Sequence, residues 1–210
     1  MTNPIFPSLP QDAQLLELFR LFPHAVPALL DYHDRLLRDE SPLTVGEREL
    51  IAAYVSGLNA CEFCHGAHAI AAGAHGIDEM LFAGLMADPD TASVDERLKP
   101  LLAYVRKLTL DPAKIAPADA RRVYDAGWDE RALFDAISVC ALFNMMNRIV
   151  LGAGIIEDPR LRSAEEVEAR RKRMGEAGPD PHSAEPSYSK LARMLAGDAP
   201  VQNRAEGPAS

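Results

Sequence analysis

The sequence predicts an all-α protein. Three observations support this fold class: apolar residues recur at helical spacing along most of the first 158 residues, capping-box patterns precede two of these segments, and no stretch alternates convincingly between polar and apolar residues. With 210 residues, the chain is long enough for one well-packed domain with extensions. We therefore expect a helical bundle.

The helices of this bundle are predicted in order from capping residues, glycines and prolines. Capping-box patterns at Thr44–Glu47 and Ser93–Glu96 each begin a helix, and Asp78 and Asp129 are predicted to cap two more. Pro100 falls inside one predicted helix and should kink or split it. The predicted segments are 11–22, 25–38, 45–56, about 60 to 73 or 76, 78–86, 94–110, 117–126 and 130–151.

The composition changes beyond residue 158. Residues 1–158 are predicted to form the helical domain, and residues 159–210 a polar C-terminal extension that is partly helical and disordered at its end. Within the extension, Ala164–Glu176 and Tyr188–Ala196 are the predicted helical pieces. Such an extension is either a solvated appendage or an arm packed on a neighbouring subunit, and the sequence pattern leaves both open.

Charge, hydropathy and cysteine content exclude several classes of function. A formal net charge of −9 disfavours nonspecific binding to nucleic acid or to anionic membranes. No apolar run approaches the roughly 20 residues of a membrane span, and the first residues lack a secretory-signal pattern. Three cysteines are too few for a secreted disulfide scaffold. We expect a cytoplasmic protein without nucleic-acid or membrane partners.

The run Cys61-Glu62-Phe63-Cys64-His65-Gly66-Ala67-His68 places two thiols and an imidazole on one helix face. At about 100° per residue, Cys64 and His68 lie about 60° and 20° to one side of Cys61. Thiols three residues apart can form a disulfide, and a histidine one turn further on can move a proton to or from the second sulfur. His65 and His68 also offer positive charge to a thiolate at Cys64. The run therefore predicts redox chemistry.

A carboxylate in the preceding predicted helix is a further candidate for this site. Glu49 lies twelve residues before Cys61, and in a helical hairpin it could face His68 and hold its tautomer or take its proton. Glu47 is explained by the capping box, whereas Glu49 has no such local role.

Four other residues have a possible role at this site or a structural role elsewhere. Asn147 and Arg148 lie on a helix that should be apolar, so they have either a structural role or a supporting role at the site. Arg148 facing the thiols would stabilise a thiolate. Cys140, in an apolar stretch, is predicted to be a buried structural thiol, and His33 a surface or packing residue.

Two other interpretations of the C-x-x-C run stay open at this point. Zinc would use Cys61, Cys64 and His68 as three ligands, with the fourth from His65, His75, Glu49 or a distant residue. The two thiols could also be inert members of the core.

These motifs resemble the AhpD-like branch of the carboxymuconolactone decarboxylase family. The spacing from Glu49 to the cysteines and to His68 fits the pattern E-x11-C-x-x-C-x-x-x-H. Later segments resemble the peroxidase-related subgroup, so the resemblance spans roughly residues 10–156. The matching segments are Leu43–Ile51, Gly57-Leu58-Asn59, Cys61–His68, Lys107-Leu108-Thr109, Gly127-Trp128-Asp129 and Phe143–Ile149.

The resemblance implies an AhpD-like helical bundle that assembles as dimers, trimers or hexamers and reduces hydrogen peroxide or organic hydroperoxides without a cofactor. In the mechanism it implies, Cys64 attacks the peroxide after His68 and Glu49 relay its proton. The sulfenate on Cys64 then condenses with Cys61, and an external dithiol or thioredoxin-like reductant restores both thiols. Helix physics alone nominates Cys61 as the more acidic thiol, so the two arguments differ. Phe63 stands where better-known members often carry a histidine.

Two alternative functions remain beside this peroxidase. One is a redox-sensing or scaffold protein whose dithiol does not cycle. The other is a decarboxylase-like activity of the family's other branch, which typically lacks the paired cysteines.

Overall fold

The computed structural model describes residues 5–78, 80–156 and 163–175, together with Tyr188 and Leu195. These residues form helices and connecting turns without a strand, which confirms the predicted fold class. Two short 3-10 helices, Pro23–Ala25 and Pro112–Lys114, also occur. The α-helices are α1 (Leu15–Leu21), α2 (Val26–Arg38), α3 (Val45–Leu58), α4 (Glu62–Ala74), α5 (Leu81–Ala87), α6 (Leu98–Leu110), α7 (Pro117–Asp125), α8 (Glu130–Gly152) and α9 (Ala164–Gly175).

The centre of the bundle is helix α3, which packs against α4, α6 and α8. Most of α3 is buried, as expected for a helix that is apolar nearly all round. The predicted capping box begins this helix: the Glu47 amide donates to Thr44 Oγ1 at 3.2 Å, and the Thr44 amide to Glu47 Oε2 at 2.7 Å. This arrangement places Glu49 inside the protein, one turn beyond the cap.

Helix α8 is long and apolar enough, by length and composition alone, to cross a membrane. The expectation that no apolar run approaches such a length is therefore wrong for this segment. However, 61% of its most apolar 18-residue window is buried inside the protein, as in the core helix of a globular bundle. Asp129 caps α8 as predicted, with Oδ1 accepting from the Ala132 amide at 2.7 Å.

Three predicted helix starts are wrong. The first helix begins at Leu15 and not at residue 11. Helix α6 begins at Leu98, and the residue before it, Arg97, makes no side-chain cap, so Ser93–Glu96 does not form a capping box for this helix. Pro100 consequently lies in the first turn, where its missing N–H removes no intrahelical hydrogen bond and no kink is needed. Asp78 accepts from the Met80 amide at 2.9 Å in a turn ahead of α5 rather than capping that helix.

The described residues of the C-terminal extension pack on their own chain. Helix α9 contacts α4, and Tyr188 and Leu195 lie against the central hydrophobic core. Most of the predicted helix Tyr188–Ala196 lies outside the described residues, as does the boundary between residues 158 and 159, so the division into domain and extension stays a prediction.

Candidate active site

Helices α3 and α4 are joined by a tight turn that ends in a Schellman motif. The Cys61 amide donates to the Ser56 carbonyl and the Ala60 amide to the Gly57 carbonyl, both at 2.9 Å. Ala60 adopts a φ of 53°, the left-handed conformation in which glycine is usual. Cys61 follows directly and becomes the N-cap residue of α4. The turn therefore delivers the first thiol to the N-terminus of a helix.

Gly57 permits close packing in this hairpin. A Cβ at this position would lie 2.8 Å from Met86 Sδ and 3.2 Å from His65 Nδ1. The His65 ring donates from Nδ1 to the Ala53 carbonyl at 2.9 Å and packs edge-on against Phe82. Its hydrogen bond is therefore made to the backbone of α3, and among the described residues none joins it to a thiol. The predicted stabilisation of a thiolate by His65 is therefore not supported by a hydrogen bond among the described residues.

Cys61 and Cys64 are adjacent, buried and not joined by a disulfide, with exposed fractions of 1% and 4%. The Cys64 side chain and backbone amide hydrogen-bond to the Cys61 sulfur, and Asn147 adds a further hydrogen bond. These bonds overcome the opposing effect of burial and lower the pKa of Cys61 to about 7. The same hydrogen bond to Cys61, together with burial and the Cys61 charge, raises the pKa of Cys64.

The two thiols therefore ionise as a unit, with the first negative charge on Cys61 and the proton kept on Cys64. This agrees with the helix-based expectation for Cys61, which lies at the N-terminus of α4, where unpaired amides favour a thiolate. It does not assign the attacking sulfur, because a proton can still pass between two hydrogen-bonded sulfurs.

Asn147 connects the thiols to the end of α3. Its side chain is fully buried, its Nδ2 donates to Ser56 Oγ at 3.0 Å, and its Oδ1 accepts from Asn59 Nδ2 at 2.9 Å. Hydrogen bonds from Asn147 also act to lower the pKa values of Cys61 and Cys64. The predicted candidate Asn147 thus lies at the dithiol.

Arg148 does not face the thiols, contrary to the hypothesis drawn from the sequence. Its side chain is exposed and donates to the carbonyl and side-chain oxygens of Asn144. One residue along a helix is a rotation of about 100°, so Arg148 and Asn147 lie on different faces of α8. Arg148 lines a mostly apolar cavity of about 340 Å³ between α1, α2 and the end of α8, and neither cysteine lines that cavity.

Glu49 and His68 are brought together across the α3–α4 hairpin. His68 Nδ1 donates to Glu49 Oε2 at 2.6 Å, and the Glu49 side chain is fully buried. The ring of His68 also packs edge-on against Phe143, with centroids 4.4 Å apart. With Nδ1 committed to the carboxylate, Nε2 is the nitrogen left to accept a proton. Within the described part of the chain, no hydrogen bond joins His68 to either thiol.

Arg38, at the end of α2, is a member of this site that sequence reasoning missed. Its Nη2 lies 2.6 Å from Glu49 Oε1, opposite the oxygen that His68 uses. Burial acts to raise the pKa of Glu49, but the charges of His68 and Arg38 overcome it and bring the value to about 2. A basic residue in the last turn of a helix is explained equally well by the helix dipole, so its sequence offered no distinctive signal.

His33 was predicted to be a surface or packing residue, and the structure buries it beside the site. Its Nδ1 donates to the Leu29 carbonyl at 2.8 Å, and burial lowers its pKa to about 4. Its ring contacts Phe143 edge-on at 6.0 Å between centroids. His33 and His68 therefore pack against the same phenylalanine.

The described residues contain no group of three or more His, Cys, Asp or Glu side chains arranged to hold a metal ion. Cys61, Cys64 and His68 share a helix face, and Glu49 on Nδ1 of His68 leaves Nε2 open. A carboxylate in this position is also usual for a zinc-binding histidine, so this contact does not decide between the redox and zinc interpretations.

The fold and these residues define a class: a helical-bundle protein with a buried dithiol beside a carboxylate–imidazole pair. No protein-family model matches the chain, and no curated protein matches it. Among solved structures, it is similar to an uncharacterized peroxidase-related protein from Silicibacter sp. TM1040. The two are 28% identical with a TM-score of 0.64, over 70% of this chain and 76% of the other.

A second solved structure, also an uncharacterized peroxidase-related protein, comes from Ralstonia eutropha JMP134 and is described as an alkylhydroperoxidase AhpD core. It is 22% identical with a TM-score of 0.63, over 68% of this chain and 75% of the other, and it shows the shared fold. Together the two structures confirm the resemblance to AhpD-like, peroxidase-related proteins that the motifs predicted.

Proposed function

We propose that this protein is a thiol-dependent peroxidase that reduces hydrogen peroxide or organic hydroperoxides through a Cys61/Cys64 dithiol–disulfide cycle. The observation that carries the proposal is the pairing of two adjacent, unbridged thiols with the buried Glu49–His68 pair on the same two helices. Its similarity to a peroxidase-related protein supports this assignment.

The first step is nucleophilic attack by the Cys64 thiolate on one peroxide oxygen. The S–O bond forms as the O–O bond breaks, the sulfur is oxidised to the sulfenic acid, and the departing alkoxide or hydroxide takes up a proton. Before attack, the Cys64 proton must leave, either to the Cys61 thiolate or to His68 Nε2 with Glu49 stabilising the imidazolium. His68 follows Cys64 by one helical turn, and this spacing supports a proton transfer between them.

The lowered pKa of Cys61 suits it to the second step. A thiol with a pKa near the ambient pH is the most effective attacking sulfur, and Cys61 has a pKa of about 7. Its thiolate attacks the sulfenic sulfur of Cys64, the disulfide forms, and hydroxide leaves as water after protonation. When an external dithiol later attacks Cys64 in the disulfide, the more acidic Cys61 is also the better leaving group.

The proposed cycle uses no cofactor and needs an external dithiol or a thioredoxin-like protein as reductant. The family resemblance implies a homo-oligomer of two, three or six chains. The low cysteine content favours a cytoplasmic setting, and both belong to the proposal.

A redox sensor with a non-cycling dithiol is the second candidate function. The observation that favours it is the burial of both sulfurs, whose exposed fractions are 1% and 4%, because a protein reductant must reach one of them in every cycle. A sensor would oxidise once and then stop, whereas a peroxidase consumes peroxide continuously when a dithiol is supplied.

The test is peroxide titration of the reduced protein, followed by intact mass and peptide mapping. We expect rapid loss of about 2 Da mapped to a Cys61–Cys64 disulfide, then catalytic turnover on addition of a dithiol. The Cys61→Ser variant should gain one oxygen at Cys64 and stop. A reaction no faster than that of a free thiol would overturn the proposal. Oxidation of the dithiol without turnover would instead identify the protein as a redox sensor.

A further inference from the structure

Tyr188, in the C-terminal extension, is held against helix α2. Its backbone amide donates to Asp34 Oδ1 at 2.9 Å, and its ring lies 4.9 Å from the ring of His33 between centroids. The side chain is partly buried and packs against the central hydrophobic core. Two consecutive residues of α2 thus fix both the backbone and the ring of Tyr188.

The anchor for Tyr188 lies one helical turn before Arg38. Asp34 and Arg38 are four residues apart on α2 and therefore neighbours on one face of the helix. The Arg38 side chain keeps 29% of its surface exposed, whereas Glu49, to which it is paired at 2.6 Å, has none. Water therefore reaches this ion pair only through the part of Arg38 that stays exposed beside Tyr188.

Charge effects support the same placement of the phenol. Burial, followed by the negative charge of Glu49, raises the pKa of Tyr188, while Arg38 acts to lower it. For Arg38, burial acts to lower the pKa, but the charge of Glu49 and its hydrogen bond overcome it and raise the value. The phenol is therefore neutral at physiological pH and lies within the field of both partners of the ion pair.

We propose that Tyr188 is a positioning residue of the candidate active site, which covers the Arg38–Glu49 ion pair with a ring supplied by the C-terminal extension. Excluding water from an ion pair strengthens it and makes it less sensitive to salt. Arg38 then holds Glu49 in place, and Glu49 holds His68. The covering is inferred from the anchor of Tyr188 at His33 and Asp34, one helical turn before Arg38, whereas its consequence for peroxide reduction rests on the proposed function.

The covering is tested by the accessibility of Arg38 to phenylglyoxal, an arginine-selective dicarbonyl, read by peptide mass mapping. Arg35, on the same helix with a side chain 68% exposed, serves as the internal control. In Tyr188→Ala, we expect Arg38 to react several-fold faster than in the wild type, while Arg35 is unchanged. Tyr188→Phe keeps the ring and should protect Arg38 as the wild type does.

Equal modification of Arg38 in the wild type and in folded Tyr188→Ala would overturn the proposal. Should the alanine variant fail to fold, Tyr188→Leu gives the same comparison, because a shorter aliphatic side chain fills less of the space over Arg38. Circular dichroism of each variant establishes that it is folded before modification.

The consequence for catalysis is tested by the rate of peroxide reaction at about 0.05 and 1 M NaCl. Wild type and Tyr188→Phe should show little change with salt. Tyr188→Ala should react several-fold more slowly and slow further at high salt, because an uncovered ion pair is screened. Tyr32→Ala, at an exposed tyrosine of the same helix, is the matched control and should behave as the wild type does.

The two tests fail separately. A salt-independent, wild-type rate in Tyr188→Ala would remove the positioning role. A wild type that reacts no faster than a free thiol would remove the proposed peroxidase, while the phenylglyoxal comparison would still decide whether Tyr188 covers Arg38.

Discussion

Cys140 and Cys61 are both thiols with almost no exposed surface, 0% and 1%, yet their surroundings give them opposite acidity. Cys140 lies in the middle of α8 with Thr109 Oγ1 at 3.3 Å, and burial raises its pKa. Cys61 lies at the N-cap of α4, and the hydrogen bonds from Cys64 lower its pKa to about 7. Burial alone therefore does not decide whether a thiol of this protein ionises.

The difference lies in the hydrogen-bond donors available to the charged form. Inside a helix the backbone amides are already bonded to carbonyls, so a thiolate at Cys140 would lose its hydration with little in return. At a helix N-terminus the first amides are unpaired, and Cys61 receives the Cys64 amide as well as the Cys64 thiol. The reactive pair is thus made by the turn that ends α3, and each variant below tests one part of this contrast.

The largest expected effect comes from replacing a sulfur. Cys64→Ser should lower peroxide turnover by on the order of 10³-fold or more, because the proposed nucleophile is lost. Cys140→Ser makes the same chemical change at the unactivated thiol and should leave turnover unchanged. Peroxide consumption in the presence of a dithiol measures both variants.

The contrast between the thiols would be wrong if Cys140→Ser lost activity while remaining folded. Rapid oxidation of Cys61 in the Cys64→Ser variant would reverse the proposed order of the two sulfurs.

Glu49→Gln tests whether the dithiol depends on the carboxylate–imidazole pair, which Cys140 lacks. Removing the proposed proton relay should slow the first step by about 10²-fold, within the usual range for general acid–base groups. Stopped-flow measurement of the peroxide reaction of the reduced protein isolates this step. Glu47→Gln, two residues earlier in α3, is the control and should weaken only the helix cap. Equal rates in the two variants would contradict the relay.

Glu49 should also make the stability of the protein depend on pH. Its pKa falls from 4.5 to about 2 on folding, so its ionised form stabilises the native state above about pH 4.5. This contribution is lost as the pH falls towards 2, and it corresponds to about 3 kcal/mol. Urea unfolding of the wild type and Glu49→Gln at a series of pH values should show the difference between them shrinking over that window. A difference independent of pH would contradict the lowered pKa.

Alkylation sharpens the comparison between the thiols directly. Compared with a thiol of ordinary pKa 9.0, Cys61 with a pKa of about 7 has about 100-fold more thiolate below pH 7. A thiolate of lower pKa is less nucleophilic, so the expected advantage in alkylation rate is about tenfold. Iodoacetamide labelling with peptide mapping should show this preference for Cys61 over Cys140. Absorbance at 240 nm should report one thiolate with a midpoint near pH 7. A midpoint near 9 would show that Cys61 is not activated.

The sequence predicted the hairpin half of the site because its geometry is local. The capping box fixes where α3 begins, and the twelve residues from Glu49 to Cys61 cross a single turn. Helical spacing then places His68 near Glu49, as the structure shows. The same local reasoning could not find that Ala60 takes the left-handed position at the end of α3, because alanine rarely adopts that conformation.

The remaining residues of the site come from elements distant in sequence, and their local patterns have ordinary explanations. Arg38 is a basic residue in the last turn of α2, where it is favourable for the helix dipole alone. Tyr188 lies in a polar extension, and no periodic pattern there predicts where it packs. Pro100 was misjudged because the expected helix start was four residues early, and a proline in a first turn breaks nothing. The positions of these residues depend on tertiary packing, which a local sequence pattern does not determine.

The smallest expected effect is on stability, at Cys140. Cys140→Ala removes a buried sulfur from the core and should lower the free energy of unfolding by about 1 kcal/mol. The loss stays small because Thr109 Oγ1 also donates to the Val105 carbonyl at 2.9 Å, so its hydrogen stays bonded when the sulfur is removed. Urea denaturation measures the change, and peroxide turnover should be unaffected. A loss of turnover with unchanged stability would mean that Cys140 belongs to the redox machinery, and the contrast between the buried thiols would then fail.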